Sequence, residues 1–379
     1  MIAAHLRDRI VHHYLYEYLN SFWNSRFVKN SYACRKGAGP LQAVKDLEVF
    51  LKRHKRASSK PLYYLKLDVQ SFFASIDINI LETIFERKLH NEDMKWLLKT
   101  VLRHRPTRPG EYILKSPKES WQLVPPYKSL FNSPDHIGLP IGNLTSQFFA
   151  NVYLNELDQY IKHKLAKKHG ILFWQRYVDD LLLIGDDQRL LAKITSEVQG
   201  FLKRELNLSL NYKKICLQPV GLGIDHLGFF VKPSYTLVRK SVVSRFKSKI
   251  AWLEKHSSRM TPVAILSSVN SSFGYFRNAK SLGLRMASAR RILANNQLGK
   301  NLQVKQDSKK DSIKFKSMEL RPPEKAVNHA IEMILKRSFM EMIRAHTRPR
   351  TLLKKLLKNW RPMAEMISEA RIYCLRRPL

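Results

Sequence analysis

Three acidic residues carry the chemistry this sequence could perform. Asp179 and Asp180 stand side by side in FWQRYVDDLLLIG (residues 173–185), a run that is otherwise almost wholly apolar. Short apolar runs on each side read as buried strands, so the two acids fall at or near a hairpin turn. Asp68 closes another such strand, LYYLKLDV. A single carboxylate buried among Leu, Ile and Phe is costly. Two adjacent ones repel, and relief comes from protonation or a bound cation. Asp also suits turns on local grounds alone, so each acid taken singly has a plain alternative as turn chemistry. Gathered on one sheet, three oxygen donors with little His or Cys nearby suit Mg²⁺ better than zinc. Two such ions roughly 3.5–4 Å apart stabilise the attacking and leaving oxygens of an in-line phosphoryl transfer.

The charge balance supplies a matching substrate. Lys and Arg number 67 against 31 Asp and Glu, a formal net charge of +36. An excess of that size implies a polyanionic partner, nucleic acid first. An anionic membrane is the competing partner, but no apolar stretch approaches the roughly 20 residues that span a bilayer. The first residues, MIAAHLRDRIVHHYLYEYLN, lack a signal-peptide layout. Cys34, Cys216 and Cys374 are too widely spaced for a disulfide framework or a zinc cluster. A cytoplasmic protein is expected. With 379 residues, 44% of them apolar, the chain should fold into two to three units around a sizeable core.

The elements that must position the acids follow from periodicity. Helices are expected up to about residue 30, from Leu41 to about Lys55, after a cap at Asp77, and from about Met94 to Arg103. A Pro-rich irregular stretch follows over residues 105–140. Gly138 to Lys168 runs from a turn into a long helix, and a further helix spans about Arg189 to Leu206. Short strands are expected in LSLNYKKICLQPV and HLGFFVKPS, with a domain boundary near Ser234 and a basic helical pattern beyond Ser241, to about Leu293. A polar linker from Asn295 to about Lys316 should lead to a last pair of helices, Lys325 to Arg344 and Thr351 to Trp360. His12, His13, His104 and His136 show no ligand spacing and read as structural.

Five stretches in order then resemble the reverse transcriptases. LKLDVQSFFASID resembles the first palm motif of that family, GLPIGNLTSQFFANVYLNELD the second, and the YVDD tetrad the third. LNLSLNYKKI resembles the fourth motif, and DHLGFFV the primer grip. The resemblance implies an α+β right-hand polymerase fold of fingers, RNA-recognition-like palm sheet and helical thumb, with a basic helical C-terminal extension. In domain terms it implies N-terminal helices and fingers over 1–60 and a palm over 61–234, with a fingers insertion at about 78–137. The thumb would then cover 235–294, and the linker and extension 295–379.

The same resemblance assigns roles residue by residue. Asp68, Asp179, Asp180 and the carbonyl of Val69 would hold two Mg²⁺, with Mn²⁺ as a substitute. Lys214 occupies the fourth motif's lysine position, suited to protonating pyrophosphate, with Lys213 the competing assignment. Phe73 would pack under the sugar and reject a 2′-hydroxyl; core packing is its plainer alternative, as for Phe72. Arg35 beside Lys36, together with Lys66, would grip the triphosphate. Ile141 and Gly142 would meet the nucleotide through backbone, with Gln147 a further polar contact. Tyr177, Asn143, Leu227 and Gly228 would line the primer and template. Finer signatures, SYACRKGAGPLQAV, GNLTSQ and SSVNSSFGYFRNAKSLGLR, resemble the enzymes of diversity-generating retroelements and of abortive-infection and defence systems. Neither a zinc-ligand endonuclease tail nor a second acid constellation of the RNase H kind is expected. Implied partners are a noncoding or retroelement template RNA, primer and cDNA, dNTPs, and an accessory protein or a second copy of the chain.

Two other classes remain open on sequence: a catalytically silent polymerase fold acting as a nucleic-acid scaffold, and an RNA-synthesising polymerase. Retained buried acids argue against the first, and Phe73 against the second. Template-independent or protein-primed DNA synthesis is an open variant of the enzyme reading.

Overall fold

A computed structural model describes residues 6–107, 129–256, 260–295, 302–307 and 312–317, together with Ala4 and Pro125. Helix α1 (Leu6–Trp23) buries Leu15, Leu19 and Trp23. Helix α2 (Pro40–Ala57) starts with Pro, whose missing N–H costs nothing in a first helical turn, and buries Val44, Leu47 and Leu51. Strand β1 (Tyr63–Leu67) leads through Asp68 to the short helix α3 (Phe72–Ser75). Helix α4 (Ile78–Glu86) is capped by Asp77, whose carboxylate accepts from the N–H groups of Asn79 and Ile80, as its place before an apolar run suggests. Helix α5 (Glu92–Arg103) carries its own cap, Asn91. Most of the expected Pro-rich loop lies outside the described residues.

Helix α6 (Leu144–Tyr160) passes through a π turn (Ile161–Leu165) into a last short turn, α7 (Ala166–Lys168). Strands β2 (Phe173–Tyr177) and β3 (Asp180–Gly185) form the expected hairpin, followed by α8 (Gln188–Leu206). Strand β4 (Cys216–Pro219) completes an antiparallel sheet in the order β2-β3-β1-β4. Strands β5 (Ile224–His226), β6 (Phe229–Val231) and β7 (Thr236–Val238) make a second antiparallel sheet. Ser234, the expected boundary, lies in the link between paired strands β6 and β7. Helices α9 (Lys240–His256), α10 (Pro262–Phe276) and α11 (Leu282–Ala294) follow.

Side-chain alternation splits the central sheet between two cores. Leu65, Leu67, Leu181 and Leu183 face α1, α4, α5, α6 and α8. Tyr64, Leu182 and Ile184 face α2, the second sheet and α9 to α11. Asp68 and Asp180 share the parity of that second set, so they sit on the face away from α6 and α8. Buried His226 on β5 and Gln175 on β2 lie 2.7 Å apart through their side-chain nitrogens, tying the two sheets together.

The stretch expected as a linker contains two strands. Strands β8 (Leu302–Asp307) and β9 (Ser312–Ser317) pair as a hairpin. LQVK and SIKFKS alternate apolar and polar residues with a period of two, the pattern of a half-buried strand. The two expected C-terminal helices lie outside the described residues. Among the described residues no helix is long and apolar enough to cross a membrane.

Candidate active site

The carboxylates meet at the end of the central sheet because β1 and β3 are adjacent. Leu67 pairs with Leu181 and Tyr177 with Asp180, so Asp68 and the Val178-Asp179 turn emerge at the same edge. Val178 is held at φ 57, a left-handed conformation that strains a β-branched residue. Asp68 is buried, and its Oδ2 accepts from Lys214 Nζ at 2.9 Å and from Asn211 Nδ2 at 3.2 Å. The Asp68 carbonyl accepts from Asn211 N at 2.7 Å, and Gln70 N donates to Ser209 O at 2.9 Å. These bonds flank a bridge between Val69 and Leu210. Val69 is therefore in a non-hydrogen-bonded pair, its own carbonyl turned away from Leu210 toward the side where β3 and Asp179 lie.

Burial pushes the Asp179 carboxyl up to about 6; the charges of Asp68 and Asp180 push the same way, against its own backbone N–H and Lys214. Burial likewise raises Asp180, with Lys66 opposing and Asp68 adding to it. Lys214 is raised, chiefly by its hydrogen bond to Asp68. The acids thus share one field, only partly offset by Lys214 and Lys66. Among the described residues, no three His, Cys, Asp or Glu side chains close into a ligand cluster. Asp68 is instead engaged by the Lys214 ammonium, 2.9 Å from its Oδ2. Hard oxygen donors, two of them (Asp179 and Asp180) raised by burial despite these cations, fit a divalent cation such as Mg²⁺.

The other expected site residues are placed by the same elements and their flanking turns. Lys66 is on the same face as Asp68 and donates to the Asp225 carbonyl at 2.9 Å. Phe72 is buried, whereas Phe73 is only half-buried and its carbonyl accepts from Leu139 N at 2.7 Å. Tyr177 is half-buried, and burial raises its phenol, with Cys34 adding to this. Ile141 is exposed, as are Gly142 and Gln147. The Gln147 Oε1 accepts from Cys34 Sγ at 3.4 Å, and Asn143 Oδ1 from Ala4 N at 3.3 Å. Arg35 Nη1 donates to the carbonyls of Val28 (2.6 Å) and Ser31 (2.9 Å), which puts part of its guanidinium to structural use.

Leu227 and Gly228 form a two-residue turn between β5 and β6, with φ 48 and φ 86, as a type I′ turn requires. The turn is strapped to α10: Tyr275 Oη donates to the Leu227 carbonyl at 3.4 Å, and its ring stacks on Phe229 at 4.8 Å. A Cβ on Gly228 would collide with the Tyr275 hydroxyl. Gly228→Ala should therefore destabilise the protein by roughly 1–3 kcal/mol, through strain at positive φ and overpacking. Adding Tyr275→Phe should recover part of that loss in urea unfolding, the positive-φ share remaining.

The sequence reading missed Arg176. Its guanidinium is fully buried, with Nε donating to Asp158 Oδ1 (2.7 Å) and Nη2 to Asp158 Oδ2 (2.5 Å). Nη2 also donates to Ser31 Oγ and Asn151 Oδ1, both at 3.0 Å, and Nη1 to the Val178 carbonyl at 2.8 Å. The chain around Ser31 lies alongside β2: Arg176 N donates to Asn30 O at 2.8 Å, and Tyr32 N to Arg176 O at 3.0 Å. Arg176 thus locks the acid-bearing turn to α6 and to the N-terminal region. The signal was present as an Arg inside an apolar strand, a residue type almost never fully buried unless paired. His12 is another structural anchor: its Nδ1 lies 2.6 Å from Thr145 Oγ1, and burial lowers its imidazole to about 4.

Comparison with known proteins bears on this geometry. The chain is 23% identical to Protein YkfC of Escherichia coli over 263 residues, covering 62% of each protein. It is 19% identical to the Putative COX1/OXI3 intron 2 protein of Saccharomyces cerevisiae over 277 residues, 60% of this chain and 29% of that one. The chain thus spans less than two thirds of the length of these relatives. Telomerase from Candida tropicalis, solved with a telomeric RNA fragment, aligns over 75% of this chain and 47% of that one, at 13% identity and TM-score 0.44. Residues 1–231 match the family described as reverse transcriptase (RNA-dependent DNA polymerase). That match takes in β1, the acid hairpin, α8, β4 and the Leu227-Gly228 turn, and on it the chain belongs to the reverse transcriptase family.

Proposed function

We propose that this chain is an RNA-directed DNA polymerase, copying an RNA template into cDNA by nucleotidyl transfer from dNTPs to a primer 3′-hydroxyl. One observation carries the reading: Asp68, Asp179 and Asp180 are electrostatically coupled at one sheet edge, with Lys214 on Asp68. Asp68, Asp179, Asp180 and the Val69 carbonyl would hold two Mg²⁺, or Mn²⁺ in their place. Bound there, the ions would supply charge neutralisation at the transferring phosphoryl group. Lys214, released from Asp68, would give its proton to the leaving pyrophosphate. The N–H groups of Arg35 that are not committed to carbonyls, with Lys66, would meet the triphosphate. Ile141, Gly142 and Gln147 would flank the nucleotide. Tyr177, Asn143 and the Leu227-Gly228 turn would flank primer and template.

In this reading the central sheet with α6 and α8 is the palm, the N-terminal helices belong to the fingers, and α9 to α11 form the thumb. The positive charge of fingers and thumb would track the phosphate backbone, with affinity falling steeply as salt rises. Phe73 is the steric gate. Phe73→Ala should raise ribonucleotide use relative to deoxynucleotide by roughly ten- to a hundredfold, the scale of steric discrimination in a pocket. Competition between dNTP and NTP in single-nucleotide extension measures it.

Primer extension by the purified chain on an RNA template with dNTPs and Mg²⁺ tests the reading, and no incorporation by the wild type would reject it. A nucleic-acid scaffold would bind template equally well and lose no cellular output on Asp179→Ala. The cellular role follows from the product. Sequencing the DNA made in cells should yield adenine-altered copies of a repeat for a diversifying retroelement. Repetitive product made from a noncoding RNA would mark phage defence.

A further inference from the structure

We propose that the side of the palm remote from the carboxylates carries a second nucleic-acid site, a pocket that takes one unpaired nucleotide of single-stranded RNA outside the copied stretch. Three features meet there. The helix that begins as α6 is interrupted by the π turn Ile161–Leu165, a rare irregularity often found at functional sites. This turn brings His163 and Lys164 into the lining of a cavity of about 330 Å³. The same cavity is walled by Tyr160 and Phe201, whose rings stack at 4.4 Å and 13°. The flanking run IKHKLAKKHG leaves Lys162, His163, Lys164, Lys167 and Lys168 exposed, with Lys203 and Arg204 exposed on α8.

The pocket's chemistry matches a nucleotide. Its acids are already partnered, Glu156 with Arg87 at 3.7 Å and Glu205 with its neighbour Arg204 at 2.9 Å. Lys168 is likewise taken by Glu197 at 2.9 Å, so Lys162, Lys164 and Lys167 are the cations available to phosphate, and the outer side of the Tyr160–Phe201 stack offers an apolar wall to a base. Such stacking needs a base already out of its helix, so the ligand is single-stranded. The site shares no lining residue with the catalytic one. The pocket lies among α4, α6 and α8, behind the face that carries Leu65 and Leu181, whereas Asp68 and Asp180 face the other way. The inference rests on the polymerase reading only for the choice of RNA over DNA. Its use would be to hold the uncopied part of a template RNA while the cleft works on the rest.

The test uses the full chain with its cleft first filled by an annealed primer–template. An unstructured RNA carrying 4-thiouridine is then added, and crosslinks are mapped. The expected crosslinks fall on peptides containing Tyr160 or Phe201. Lys164→Glu and Phe201→Leu should each weaken binding of this RNA on the order of tenfold, the scale of one lost stacking or phosphate contact. Extension of the short annealed duplex should continue at the wild-type rate. Unchanged RNA affinity in both variants, or crosslinks confined to other segments, would overturn the site. An equal loss with the matching DNA strand would overturn its assignment to RNA. A wild-type chain that fails to extend the duplex would count against the polymerase reading, while the crosslink map would still report on the pocket.

Discussion

Asp179→Asn is expected to abolish nucleotide addition while making the metal-free protein more stable. Burial and two neighbouring carboxylates raise Asp179 to about 6 in the folded state, against about 3.9 for an unperturbed Asp. A folded-state acid raised in this way holds its proton more tightly than the unfolded chain does. Stability is then greatest below about pH 4 and falls as pH rises to about 6, beyond which the loss is constant. The isosteric amide removes the charge and with it a cost on the order of 2 kcal/mol at pH 8, shrinking toward zero below pH 4. Thermal unfolding at both pH values measures the difference. In the wild type, Mg²⁺ should raise the melting temperature and EDTA should reverse the rise; in Asp179→Asn that response should be largely lost. Losing several kcal/mol of transition-state stabilisation corresponds to a rate loss of about a thousandfold or more. Extension within tenfold of wild type would remove Asp179 from the reaction.

The second large effect is structural. Arg176 and Asp158 are 1% and 0% exposed, so Arg176→Met strands a buried carboxylate. The expected cost is about 3–5 kcal/mol in urea unfolding. Arg176→Met with Asp158→Leu should recover much of this, because a well-packed apolar pair can replace a buried ion pair at little net cost. Activity should behave differently. The double variant still lacks the bond from Nη1 to the Val178 carbonyl and the links to Ser31 and Asn151. Single-turnover extension should therefore stay depressed in a protein that is again stable. Recovery of both together would mean that Arg176 acts on stability alone.

The strands bearing Asp68, Asp179 and Asp180 were legible because burial with period two leaves a strong local pattern, and an acid inside it is conspicuous. The Asp77 cap and the helix ending at Arg103 were legible for similar reasons: caps and amphipathic faces are written within a few residues. The hairpin at 302–317 has the same alternating signature but lies amid Lys and Asp, where net polarity outweighs period, and so it reads as linker. At Arg35 the structure adds what spacing does not reveal. A cation beside glycines suggests an anion grip, and a turn also brings the carbonyls of Val28 and Ser31 within reach of one guanidinium nitrogen.

The sequence by itself determined which residues could do chemistry and which elements hold them, since those follow from residue type and short-range periodicity. It also pointed to the family, because five short motifs occur in order. Only the tertiary structure decided how the acids are held. Asp68 is drawn to Lys214, Asp179 has its carboxyl raised by burial, and the turn that carries Asp179 is fixed by Arg176 bonded to Asp158, 18 residues earlier. Ion pairs between elements and the desolvation of a carboxylate depend on which side chains folding brings within a few ångströms, and no local pattern encodes that distance.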